Sequence, residues 1–172
     1  LLPNPSTLPL ARIAQSKFDN ASNVFFYRSR AGDDFWYNST RYRNAPLEVA
    51  DRLMQPSSIG NDLPKEEWYK QYSNSKYCLA IRGDTPHTHA LLRSVRVGCI
   101  PVVVSDFFNA YAPTFKSTLN MEDYAIFVEE DEFIHHTAAS LNNAIQSITK
   151  EELGYKLEGM KFAQRVTATD AN

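Results

Sequence analysis

The segment from Tyr77 to Asp106 constrains this chain more than any other part of it. A continuous apolar run, Tyr77–Ile81, leads into the polar turn Arg82-Gly83-Asp84-Thr85-Pro86, and a helical pattern follows that stops at Gly98. A second run, Cys99–Val104, ends at Ser105-Asp106. Short apolar runs without alternation read as strands covered on both faces, the condition of a parallel sheet. Thr85 before Pro86 predicts an N-cap with proline at the first helical position, and Gly98 takes the C′ place.

The rest of the chain repeats this alternation. Asn23–Tyr27 and Tyr124–Val128 read as two more buried strands. Helical spacing runs over Leu47–Met54, ending before Pro56, and again from Leu63, with Pro64, Glu66 and Glu67 in the first turn. Residues 133–148 and 151–165 complete the helices. The predicted fold class is therefore α/β, a Rossmann-like, mostly parallel sheet with helices on both faces. At 172 residues this is one domain, with residues 1–22 an entry or linker segment and 167–172 a frayed tail. A start at Leu1 rather than Met reads as a piece of a longer polypeptide.

Charge and composition narrow the function. A net charge of −2, with 18 Lys and Arg scattered along the chain, argues against a nucleic-acid partner. No apolar run approaches the ~18–20 residues of a membrane-crossing helix. The two cysteines, Cys78 and Cys99, make neither a disulfide scaffold nor a zinc site, and fit one bridge or two buried thiols. Asn20-Ala21-Ser22 and Asn38-Ser39-Thr40 match the glycosylation sequon, which points to a secretory compartment.

In an open α/β sheet the ligand crevice lies at the carboxyl ends of the strands. Three features converge there: the turn from Arg82 to Thr88, the strand end Ser105-Asp106, and Arg28, Arg30, Arg41 and Arg43 after the first strand. A glycine-containing turn before a helix offers unpaired N–H groups, Thr85 and Thr88 add hydroxyls, and Arg82 adds a planar fork. Such a site suits a phosphate or diphosphate; the plain structural reading is a loop with a helix cap. The dinucleotide glycine fingerprint, the P-loop and any Asp-x-Asp triplet are missing. His87 and His89 are too poorly disposed to share a metal, and Glu129–Glu132 reads as a solvated turn into a helix, so no metal is expected. His135-His136 reads as exposed helix. Arg82-Gly83-Asp84 is also an adhesion tripeptide, but it is enclosed between strand and helix. Trp36 and Trp68 read as core or cleft wall.

The stretch Cys78–Asp106, CLAIRGDTPHTHALLRSVRVGCIPVVVSD, resembles the signature of exostosin-type glycosyltransferases. The prolines after Leu2, the strand Val24–Arg28 and the strand Tyr124–Val128 resemble flanking parts of that family. The resemblance implies the C-terminal, nucleotide-sugar-binding half of a GT-B enzyme, with the N-terminal acceptor domain of the same polypeptide absent. It implies an inverting, metal-independent transfer from a UDP-sugar to a glycan acceptor, in a lumenal domain anchored at the Golgi membrane, sometimes in complex with a related transferase. The donor is then a substrate, and no cofactor is implied. Arg82, Gly83, Asp84, Thr85, Thr88 and Arg28 would face the diphosphate, with Ser105 and Asp106 closing the cleft. The general base would come from the other domain. Maturation in an oxidising lumen would favour a Cys78–Cys99 bridge. Arg93 stands where the family carries an acid, and His89-Ala90 where it carries paired basic residues. An arginine cannot accept from a ribose diol. The alternative is a non-catalytic, exostosin-like carbohydrate-binding or scaffold domain.

Overall fold

The computed structural model describes residues 8–29, 39–83, 85–86, 88–111 and 118–167. Five parallel strands form one sheet: β1 (Asn23–Ser29), β2 (Ser58–Asn61), β3 (Ser75–Ile81), β4 (Ile100–Val104) and β5 (Ile126–Phe127). Their order is β2-β1-β3-β4-β5, so the strand order reverses between β1 and β3. The α/β, Rossmann-like reading holds. Among the described residues no helix is long and apolar enough to cross a membrane.

β1 shows why both sheet faces are covered. Phe25 and Tyr27 point into the main core, which includes Leu79, Val102, Phe133 and Leu141. Phe26 points the other way, into a second cluster with Trp68, Tyr72, Cys78, Val97 and Cys99. Side chains alternate along a strand, so consecutive apolar residues require a layer on each side. The second layer is α3 (Lys65–Ser73), whose Tyr72 ring stacks on Phe26 at 4.4 Å while Trp68 meets Tyr72 edge-on at 4.8 Å.

Several elements differ from the sequence reading; the helix expected over 133–148, for one, is two, Glu130–His135 and Thr137–Gln146, parted at His136. β2 was not expected: its Ser-Ile-Gly-Asn sequence has neither alternation nor an apolar run, and pairing with β1 alone makes it a strand. The helix expected over Leu47–Met54 lies earlier, as α2 (Ser39–Glu48), with Pro46 in its last turn and a 3₁₀ turn at Ala50–Arg52. The helix expected from Thr85 begins at Ala90, as α4 (Ala90–Val97). Thr88 Oγ1 accepts from Ala90 N–H at 3.2 Å, and Ser105 Oγ donates to the Pro86 carbonyl at 2.6 Å, so the turn is drawn toward β4 before the helix starts. Gly98 does end α4, left-handed at φ 67°.

Within residues 1–22, read as an entry segment, α1 (Gln15–Asn20) forms, and Leu8, Ile13 and Phe18 are buried. After β4 come the short α5 (Phe108–Tyr111), then α6 (Glu130–His135), α7 (Thr137–Gln146) and α8 (Lys150–Thr167). Cys78 and Cys99 form a disulfide beneath Phe26 and Tyr72, with Cα atoms 5.8 Å apart. It closes a loop with a sequence separation of 21. Loss of this bridge on reduction is expected to cost about 3 kcal/mol, read as a lower urea midpoint with a thiol present. An unchanged midpoint would show that the strand packing alone sets the stability.

Buried tyrosines set the alkaline limit of the fold. Burial pushes the phenols of Tyr27, Tyr72, Tyr77 and Tyr124 up to about 12. On unfolding they return to about 10, so the folded chain keeps protons that the unfolded chain releases. Their stabilisation is complete below about pH 10 and is lost as pH rises through about 12, at up to about 2–3 kcal/mol each. Lys17 acts oppositely: burial lowers its ammonium to about 8, so its contribution rises from there until the unfolded value of 10.5 is passed. Melting temperature is expected to climb slightly above about pH 8 and fall steeply above about pH 10. A flat profile through the alkaline range would contradict the tyrosine burial.

Candidate functional site

The reversal between β1 and β3 opens a crevice at their carboxyl ends, where open α/β sheets bind ligands. A cleft of about 360 Å³ occupies it. β1 supplies Phe26, Tyr27, Arg28 and Ser29, β3 supplies Leu79 and Ile81, and the following turn supplies Gly83, Thr85, Thr88 and His89. α3 contributes Trp68 and Tyr72, α4 contributes Ala90 and Arg93, and α2 contributes Arg43.

Arg28, Arg43 and Arg93 line the cleft together with His89, and among the described residues no carboxylate joins them. Burial lowers the guanidinium pKa of both Arg28 and Arg93, the mark of cations withdrawn from water. Both stay charged near neutrality, because an arginine starts so far above it. Phe26, Trp68 and Tyr72 give the cleft an aromatic wall, and the Arg28 guanidinium carbon lies 5.7 Å from the centre of the Phe26 ring. An anion with an attached planar or apolar group fits such a lining.

Eight of the residues singled out from the sequence meet in this cleft: Arg28, Arg43, Trp68, Gly83, Thr85, Thr88, His89 and Arg93. Ser105 and Asp106 instead line a neighbouring hollow at the ends of β4 and β5, with Phe127, Val128 and Glu129. Asp84, His87, Trp36, Arg30 and Asn38 lie outside the described residues, and Asn20 is exposed at the end of α1.

Arg82 turns away from the cleft. Its Nη1 donates to both oxygens of Glu130 at 3.1 Å, and its guanidinium lies 5.7 Å from the centre of the Tyr42 ring. Tyr42 donates to Glu130 at 3.2 Å, and Glu130 also accepts from the Asp106 N–H at 3.1 Å. The Asp106 carboxylate accepts in return from the Glu130 N–H at 3.0 Å. Glu130 thus ties the ends of β3 and β4 and the start of α6 to α2. Glu130, read within Glu129–Glu132 as part of a solvated turn, is instead buried, because nothing local in an acidic run separates a buried carboxylate from its solvated neighbours. Gln71 and Ser58, which bond Arg28, gave no signal either, since they come from elements brought in by the fold.

A larger hollow, about 710 Å³, lies between β5 and α8. Glu122, Asp123 and Glu152 line it, and Lys156, its cation, is already held by the carbonyls of Ala125 and Glu122. That chemistry repels an anion, so volume is outweighed by charge. Among the described residues, no group of three or more His, Cys, Asp or Glu side chains is placed to hold a metal.

Comparison with known proteins agrees with this architecture. The exostosin GT47 domain matches residues 19–144. A probable glucuronosyltransferase of Oryza sativa subsp. japonica is 28% identical over 107 residues, covering 62% of this chain and 22% of the relative. A probable arabinosyltransferase of Arabidopsis thaliana is 28% identical over 141 residues, covering 76% of this chain and 30% of the relative. The chain therefore spans less than a third of the length of either.

Replacing Glu130 by Ala is expected to cost about 2–4 kcal/mol, because Arg82 and the Asp106 N–H lose their shared partner. Tyr42→Phe, which removes one hydrogen bond, is expected to cost about 1 kcal/mol. Urea unfolding checks both, and equal costs would deny Glu130 its central place.

Proposed function

Because the chain belongs to the exostosin GT47 family, we propose that it is the donor-binding domain of an inverting, metal-independent glycosyltransferase that uses a UDP-sugar and a glycan acceptor. The observation that carries this reading is the cleft at the β1–β3 reversal, lined by three arginines and, among the described residues, by no carboxylate. The diphosphate lies against Arg28 and the turn at Gly83, Thr85 and Thr88, and the nucleobase lies toward the aromatic wall. As the sugar leaves, negative charge develops on the departing diphosphate, and fixed guanidinium and N–H donors stabilise it, the task a metal performs elsewhere. Arg82 joins this set by exchanging Glu130 for phosphate, which makes Arg28 the first anchor. Asp106 and Ser105 border the neighbouring hollow, where an acceptor would approach. The base that takes the acceptor proton is assigned to the N-terminal domain of the same polypeptide. The Cys78–Cys99 bridge supports maturation in an oxidising compartment, in keeping with a lumenal Golgi domain that pairs with a related transferase.

Arg93 favours a second reading, a carbohydrate-binding or scaffold domain without donor chemistry. It lines the cleft where the family carries an acid, and as a pure donor it cannot accept from a ribose diol.

Thermal melts and calorimetry with UDP, UMP, GDP and ADP, each with and without Mn²⁺, separate the two. UDP at ~100 times its dissociation constant is expected to add about 2.7 kcal/mol, above UMP and without help from the metal. Arg28→Ala is expected to weaken UDP by about 1.5–3 kcal/mol. No stabilisation by any nucleotide overturns the donor reading and leaves the second.

A further inference from the structure

Resting on the anion site just proposed, we infer that Gln71 is a positioning residue: it holds the Arg28 guanidinium through a neutral oxygen and so leaves that charge to the ligand. Arg28 Nη2 donates to Gln71 Oε1 at 3.0 Å and to Ser58 Oγ at 2.5 Å, and Ser58 Oγ donates in turn to the same Gln71 oxygen. The Gln71 amide nitrogen donates to Glu67 Oε1 at 2.6 Å. Residues four apart share a helix face, so Glu67 is placed to fix which end of the amide meets Arg28. The nearest acid of this relay thus stands one side chain away from the guanidinium. Among the described residues Arg28 has no ion-pair partner, and its Nε is buried with no hydrogen-bond partner.

Two further features keep the guanidinium where it is. Its carbon lies 5.7 Å from the centre of the Phe26 ring. On the other side Gly60 pairs with Arg28 in the parallel register, and a Cβ there would overlap Nη1. Removing a cation from water without an opposite charge is costly, and a carboxylate at position 71 would relieve that cost by a charge-assisted bond. A glutamine satisfies the geometry without cancelling the charge. What remains is a partly desolvated cation, oriented and uncompensated, at the mouth of the switch-point cleft. A diphosphate oxygen is the partner it fits.

Calorimetric titration of UDP and of inorganic diphosphate, at low and high ionic strength, tests this on the unaltered chain and on Gln71→Glu, Gln71→Met and Gly60→Ala. The unaltered chain is expected to bind both ligands, UDP more tightly. Gln71→Glu is expected to lose affinity for both by about tenfold or more, and with it most of the salt dependence, because its carboxylate occupies the cation. Gln71→Met is expected to lose only about threefold and to keep its salt dependence, since the charge survives there. Gly60→Ala displaces the guanidinium by its flexible end and is expected to weaken binding as Gln71→Glu does, which keeps the test decisive if the latter fails to fold. Binding by Gln71→Glu equal to that of the unaltered chain overturns the inference, as do equal losses in Gln71→Glu and Gln71→Met with the same salt dependence. Equal affinity of the unaltered chain for diphosphate and UDP sinks the nucleotide reading alone. Binding of neither ligand sinks both.

Discussion

Parallel pairing of β1 with β3, from Asn23 opposite Ser75 to Phe26 opposite Cys78, is the contact on which the other features depend. β2 adds to the outer side of β1, and β4 adds to the outer side of β3. Their connecting segments therefore leave the two central strands in opposite directions, and the gap between them is never filled by backbone. Every group that enters the cleft does so because of that gap. Arg28 comes from the end of β1, the turn at Gly83 from the end of β3, Tyr72 from the helix before β3 and Arg93 from the helix after it.

Two arginines near the strand ends meet opposite electrical conditions. Arg82 is paired with a largely buried carboxylate, flanked by a tyrosine and anchored through the Asp106 backbone. It joins elements to one another, and in this arrangement Glu130 compensates its charge. Among the described residues Arg28 meets an amide, a hydroxyl and the Phe26 ring, and no carboxylate. Net worth differs accordingly: a compensated pair braces the fold, while an uncompensated cation is a standing cost that a ligand removes. The contrast explains why the residue most conspicuous in the sequence is not the one facing the cleft.

Most of the sheet was legible because buried parallel strands are written as unbroken apolar runs, as in Tyr77–Ile81 and Ile100–Val104. β2 was not, since a four-residue polar edge strand exists only through its partner. The late start of α4 was equally hidden: Thr85-Pro86 carries a valid cap signal, and the Ser105 hydroxyl that redirects the Pro86 carbonyl lies nineteen residues away. For the site, the glycine turn and Arg28 were readable from their place after strands. Glu130, Gln71 and Ser58 were not, because an acid, an amide and a hydroxyl acquire their roles here from burial and long-range bonds.

Gln164 near the end of α8 receives the Ile13 N–H at 2.9 Å and donates to the carbonyls of Ala11 and Val95, each at 2.8 Å. One buried amide thus stitches the segment at Ala11–Ile13, the crossover helix α4 and the helix α8 together. Neither Ala11–Ile13 nor the turn of α8 at Gln164 can peel away alone without stranding the other's polar groups in an apolar interior. The consequence is cooperative: segments 151 residues apart in sequence belong to a single melting unit, and the cleft is carried on a base that opens all at once or not at all.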